Sequence, residues 1–209
     1  MRCWNCQSEV GGAEVCPSCG KVQPVAPGTT LFDVLGLPRG VDVDKAELER
    51  AYRERSLRLH PDRAGRDDPR ERRLALERTA LLNEAYKTLR APEPRAFYLL
   101  TLHGLDLRKD EARAVTVPPN VLEEVLELRE QLDAARSAGD DDQVSALSDR
   151  VRVQSAATLS TARSALGRLE RSPADSSARE EAAQALARLR YHHRFLEAAE
   201  GSDEDEEIV

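Results

Sequence analysis

Ala46-Glu47-Leu48-Glu49-Arg50-Ala51-Tyr52-Arg53-Glu54-Arg55-Ser56-Leu57-Arg58-Leu59 runs straight into His60-Pro61-Asp62, and the reading of this stretch decides the fold. Leu48, Tyr52 and Leu59 recur along one stripe at helical spacing. Pro61 biases His60 away from the helical region and so ends the helix. After a short charged loop, residues 69–90 repeat a helical pattern, with Leu74, Leu81, Leu82, Ala85, Tyr86 and Leu89 as its apolar set. The pair predicts two helices bracketing a stiff, exposed corner that carries an imidazole and a carboxylate. Such a corner suits docking on the surface of another protein.

The remaining chain is also helical in character. Of 209 residues, 40% are hydrophobic and only 4% aromatic, so the core is built from Leu, Ala and Val, which favours helix over sheet. Helices are predicted over residues 31–35, 44–59, 69–90, 95–103, 119–138, 141–171 and 174–199. Pro92 and Pro94 read as breakers, Gly104 as a helix-ending glycine, and Pro118-Pro119 as the opening of a second helical block. A net charge of −7 with 33% charged residues argues against nucleic acid as a partner. No run of eighteen apolar residues occurs, so no membrane span is predicted. Met1-Arg2-Cys3-Trp4 begins neither a secretory core nor an Arg/Ser-rich transit segment, which gives the expectation of a cytoplasmic protein.

All four cysteines, Cys3, Cys6, Cys16 and Cys19, fall in the first nineteen residues. Two Cys-x-x-Cys pairs supply four thiolates to one tetrahedral metal, with Pro17 and Gly20 shaping the second knuckle and Gly11 and Gly12 the turn between them. So short a segment buries no useful apolar core, whereas metal binding is worth on the order of 10 kcal/mol. The reading is a structural zinc module over residues 1–22, with Trp4 covering the site. A redox dithiol or an iron–sulfur ligand set is the alternative, and disulfides are disfavoured. Four cysteine ligands leave no open position for catalysis. Self-association through this module is a further expectation. Residues 23–30 read as a Pro/Gly-punctuated linker, 105–118 as a connector, and 200–209 as a disordered acidic tail.

Ala51-Tyr52-Arg53, His60-Pro61-Asp62 and Asn83-Glu84-Ala85-Tyr86-Lys87-Thr88-Leu89 resemble a J-domain, which with a junction helix covers residues 31–104. The resemblance implies that the His60-Pro61-Asp62 corner and a basic face made by Arg50, Arg53, Arg58 and Arg63 bind a DnaK-type chaperone and stimulate its ATP hydrolysis. An ordinary solvated helix face is the plain alternative for those charges. One position departs from the pattern, since the family usually carries Leu where this chain has Arg55. Either Arg55 lays its stem over the core and sends its head outward, or Leu57 covers the gap.

In residues 121–133, Val121, Val125, Leu128 and Leu132 share one helix face at about 100° per residue. Leu122 and Leu126 lie beside it with Arg129, and Glu123, Glu127 and Glu130 lie further round. The second apolar stripe is either a partner surface or a widening of the core stripe. Together with Arg95-Ala96-Phe97-Tyr98-Leu99-Leu100-Thr101-Leu102-His103-Gly104, residues 83–92 and Cys3-Trp4-Asn5-Cys6, this segment resembles the iron–sulfur cochaperone family HscB in its zinc-bearing form. The likeness fades in the last two helices, where only Leu189-Arg190-Tyr191 is suggestive.

That resemblance implies an all-α fold: a J-domain helical hairpin packed on a C-terminal three-helix bundle over residues 119–199, with a small zinc-ribbon-like module in front. It implies that Leu122, Leu126, Glu127, Arg129 and Glu130, with Tyr191 added, bind the scaffold IscU. The protein, not itself an enzyme, would deliver that scaffold to a HscA/DnaK-type chaperone. Glu123 and Ala134 stand where the family has an apolar and an acidic residue. Two other readings stand beside this one: a J-protein for a different client, and a zinc-ribbon nucleic-acid or transcription-factor-binding protein. His192-His193 makes a poor joint metal ligand because adjacent helix residues face apart, and His103 reads as a helix-end residue.

Overall fold

Side-chain oxygens start most of the helices. Thr30 caps α1 (Leu31–Leu35) in a capping box with Asp33, and Asp44 caps α2 (Lys45–Leu59) through the Glu47 amide. Asp68 accepts from the Arg70 and Glu71 amides to cap α3 (Pro69–Leu89). α4 (Pro92–Leu102) and α5 (Pro119–Ala138) follow. Asp140 caps α6 (Asp141–Arg171) and Asp175 caps α7 (Ser176–Ala199). Each cap serves amides that the first helical turn leaves without an intrahelical acceptor. The order α1 to α7, with no strand among the described residues, is the all-α fold expected from composition.

The structure, a computed structural model, describes residues 1–60, 64, 68–107 and 119–201. Pro61, Asp62 and Arg63, residues 108–118 of the connector and residues 202–209 of the acidic tail lie outside the described residues. No helix among the described residues is long and apolar enough to cross a membrane.

α4 starts at Pro92 rather than at Arg95. Pro92 and Pro94 are breakers only of the helix before them. In a first turn a missing N–H costs nothing, so the same prolines open the next helix.

The chain forms two compact units, Met1–Arg95 and Ala96–Val209. In the first, Phe32, Leu35, Leu48, Leu82 and Leu89 are fully buried, each contributing about 1.5–3 kcal/mol by burial. Tyr52 stacks on Tyr86 with ring centroids 4.3 Å apart, and its hydroxyl donates to Asn83 Oδ1 at 2.8 Å. These contacts lock α2 against α3. In the second unit α6 and α7 form a long hairpin lined by small and apolar residues, Ala162, Ala165 and Leu166 on α6 with Ala178, Ala182 and Leu186 on α7. α5 joins this hairpin through Leu128 and Leu132, which cluster with Leu147, Val151 and Phe195.

Candidate functional site

The four cysteines converge. Their sulfurs lie within 4.8 Å of one another, the one group of three or more His, Cys, Asp or Glu side chains so drawn together among the described residues. Cys3 and Cys19 are 3.6 Å apart at sulfur, as are Cys6 and Cys16. Four bonds of about 2.3 Å, the zinc–thiolate length, place tetrahedral sulfurs roughly 3.8 Å apart. All four cysteines are free of disulfides, so the donor set fits a thiolate-held metal.

The two knuckles share a design. Gln7 N–H donates to Cys3 O and Gly20 N–H to Cys16 O, and both residues take positive φ, 65° and 72°. In the ribbon-like module the strand pairing among the described residues is reduced to two isolated bridges, Arg2 with Glu9 and Val15 with Val22, one bracketing each pair. Amides of Cys6 and Asn5 and the neighbouring Cys19 and Cys16 thiols overcome burial to draw the Cys3 thiol down to about 6. Cys19 goes the other way: against the Lys21 amide, burial and the Cys6 and Cys16 sulfurs push it up to about 11.

The module is seated on the hairpin rather than tethered beside it. Glu71 on α3 accepts from Lys21 Nζ at 2.6 Å and from Val22 N–H at 3.2 Å. Arg78, also on α3, donates to Gln23 O at 2.5 Å and Pro24 O at 2.9 Å. Gln23 is fully buried; its side chain donates to Cys3 Sγ at 3.3 Å and accepts from Trp4 N–H. Trp4 Nε1–H donates to Val22 O, and the Arg70 guanidinium sits 4.6 Å from the centre of the Trp4 ring. Residues 23 and 24, expected as linker, therefore belong to the seat.

Arg55 resolves the departure noted on α2. Its guanidinium pairs with Glu14 of the cysteine module, and Arg58 lies 3.8 Å from the same carboxylate. Leu57 is 59% exposed, so it does not cover the gap. The Arg55 head crowds Gly36, where an added Cβ would collide with it; Gly36 also takes φ 65° as the left-handed end of α1.

At the corner, His60 has left the helical region with ψ 126° and is exposed, as the following proline requires. Thr79 Oγ1 donates to Leu59 O, tying the end of α2 to α3. Arg50 and Arg53 are exposed on α2. Arg53 Nε donates to Glu49 O, and Arg50 lies 3.9 Å from Glu47. Pro61, Asp62 and Arg63 are outside the described residues.

α5 separates its two stripes. Val121, Leu128 and Leu132 are buried, whereas Leu122 is 43% and Leu126 62% exposed. The second stripe is therefore not core. Glu127, Arg129 and Glu130 are exposed beside it. Arg129 and Tyr191 line one cavity of about 330 Å³ between α5 and α7. Glu124, which the sequence reading passed over, falls on the buried stripe. It accepts from Gln154 on α6 and from Arg188 on α7. Its spacing of three from Val121 and four from Leu128 was the available signal.

His192 is 2% exposed, a core histidine rather than half of a metal pair. His103 Nε2 meets Glu170 at 2.7 Å.

With this geometry in place, known proteins align closely. Residues 30–98 match the DnaJ domain model and residues 117–200 the HSCB C-terminal oligomerisation domain model. The co-chaperone protein HscB homolog of Ralstonia nicotianae is 41% identical over 132 residues, 63% of this chain and 74% of the relative. That of Burkholderia multivorans is 36% identical over 155 residues, 74% of this chain and 85% of the relative. The crystal structure of human co-chaperone protein HscB superimposes with a TM-score of 0.80 at 27% identity, covering 97% of this chain and 98% of that one. A J-domain match and an HscB-specific helical match lie in succession along one chain behind a four-cysteine cluster, and this chain belongs to the HscB co-chaperone family.

Proposed function

We propose that this protein holds an IscU-type iron–sulfur scaffold with α5 and presents it to a HscA/DnaK-type chaperone, whose ATP hydrolysis it stimulates to promote cluster transfer. It acts by binding and carries out no chemistry itself. The observation that carries the reading is the exposure of Leu122 and Leu126 on a helix whose other face is already buried. Two large apolar side chains beside Glu127, Arg129 and Glu130 suit a desolvating partner contact with a polar rim. Tyr191 lies across the α5–α7 cavity from Arg129 and extends that face.

At the other site, His60, Pro61 and Asp62 contact the chaperone, with Arg50, Arg53, Arg58 and Arg63 steering approach to an acidic surface. Arg58 is shared, since it also lies near Glu14. The four cysteines hold structural zinc, which closes the tetrahedron and leaves no open ligand position.

The test is a titration of purified IscU-type scaffold against the full chain, paired with a chaperone ATPase assay. Leu122→Ala with Leu126→Ala is expected to weaken scaffold binding by about a hundredfold, two anchor truncations at roughly 1–2 kcal/mol each. His60→Gln is expected to abolish ATPase stimulation while the scaffold still binds. Stimulation by wild type without any scaffold complex would instead assign a J-protein for another client.

A further inference from the structure

The buried stripe of α5 carries one carboxylate among its apolar residues. Glu124 sits between Val121 and Leu128, both 5% exposed, and is bonded to both α6 and α7. Gln154 Nε2 on α6 donates to Glu124 Oε1 at 3.0 Å, and the Arg188 guanidinium on α7 donates to Glu124 Oε2. His192, one turn beyond Arg188, is buried within the electrostatic reach of both. Three buried atoms of the cluster, Gln154 Oε1, Arg188 Nε and His192 Nδ1, find no hydrogen-bond partner among the described residues.

As a stabilising device this cluster is poor. Unpaired buried polar atoms are costly, and an ion pair whose side chains stay 25% and 34% exposed contributes little to stability. One turn further on, α5 meets its neighbours through an apolar cluster of Leu128, Leu132, Leu147, Val151 and Phe195, and its polar contacts there, Gln131 with Arg150 and Arg136 with Ala198 O, lie at the exposed edge. What a carboxylate adds is direction. An apolar stripe repeating every three or four residues tolerates a slide of one turn, whereas one carboxylate held from two different helices fixes both rotation and height.

We propose that Glu124, Arg188 and Gln154 are positioning residues for partner binding: they set the register of the first half of α5, so that Leu122 and Leu126, the residues two before and two after Glu124, are presented as one surface. The inference rests on the scaffold-binding reading above and adds the means by which that surface is held in shape.

The experiment uses the full chain, purified IscU-type scaffold and amide hydrogen exchange. Glu124→Leu with Arg188→Leu should keep the melting temperature within a few degrees of wild type. The same variant should bind scaffold about tenfold more weakly, a loss of roughly 1.4 kcal/mol, and exchange faster at residues 121–127 but not at 128–135. The charge swap Glu124→Arg with Arg188→Glu should recover binding to within about threefold, because the pair is re-formed. Unchanged binding in the double-leucine variant overturns the proposal, as does a loss of binding that follows a fall in melting temperature with no local change in exchange. A wild-type chain that binds no scaffold overturns the functional reading instead, and the exchange comparison still decides whether the cluster holds α5 in place.

Discussion

Gln7 stands at φ 65° in the first knuckle, where the second knuckle has Gly20 at 72°. A side chain in that region costs about 1–2 kcal/mol, and nothing about the Cys3-to-Cys6 spacing reveals it, because the strain lies in the residue after the pair. Gln7→Gly is expected to stabilise the metal-bound module by about 1 kcal/mol, read as roughly fivefold tighter zinc retention against a competing chelator. Unchanged retention would mean the knuckle relaxes at no cost. His192 gives a second residue-level expectation. Burial first, then the nearby Arg188 charge, hold its pKa below the ordinary value, with Glu124 opposing and His193 assisting. A histidine depressed in the fold binds its proton more readily when unfolded. Its contribution is therefore intact above about pH 6.5 and declines as pH falls below that value. Urea midpoints at pH 7.5 and pH 5 should separate more for wild type than for His192→Asn; equal separation in both would remove His192 from the acid sensitivity. The sequence displayed this residue only as a tempting pair with His193, since burial of one member depends on which face α6 covers.

At the scale of elements, the hairpin was readable because its signals are local. Pro61 marks an end and the Leu and Tyr stripe gives the period. The seat of the cysteine module was not readable. It is made by pairs some 40 to 55 residues apart, Glu14 with Arg55, Val22 with Glu71 and Gln23 with Arg78, and no periodicity links such positions. An arginine in place of the family's leucine was the one visible trace, and it makes sense only once Glu14 is seen to meet it. Arg55 and Glu14 side chains are 20% and 14% exposed, so removing either strands a charge. Glu14→Gln and Arg55→Leu are each expected to destabilise the fold by about 2–4 kcal/mol. The double variant should recover roughly 1–3 kcal/mol of the summed loss. Additive losses in a urea double-mutant cycle would show that the pair contributes no coupling.

For the whole molecule, sequence and structure agree best where one helix face must choose between core and solvent, as on α5. They diverge where a polar residue is turned inward for the sake of arrangement, half-buried at Glu124 and buried at Gln23 and Arg78. The division at Arg95 gives the protein two cores of different construction. Ala96–Val209 rests on helix packing, whereas Met1–Arg95 includes a four-cysteine segment too small to bury a useful core of its own. With the cysteines holding zinc as proposed, loss of the metal would do more than unravel residues 1–22. Arg78 is left without the Gln23 and Pro24 carbonyls, Glu71 without Lys21 and the Val22 amide, and Arg55 without Glu14. All three J-domain side chains are buried or nearly so, and each unpaired group costs on the order of 1–3 kcal/mol. Calorimetry should therefore resolve two transitions. A strong chelator is expected to lower the one belonging to Met1–Arg95 by about 10 °C or more and to leave the other within a degree or two, with Cys16→Ser reproducing the shift without chelator. If neither transition moved, the cysteine module would be a passenger on the hairpin and not part of its core; if both moved together, the two units would not melt independently.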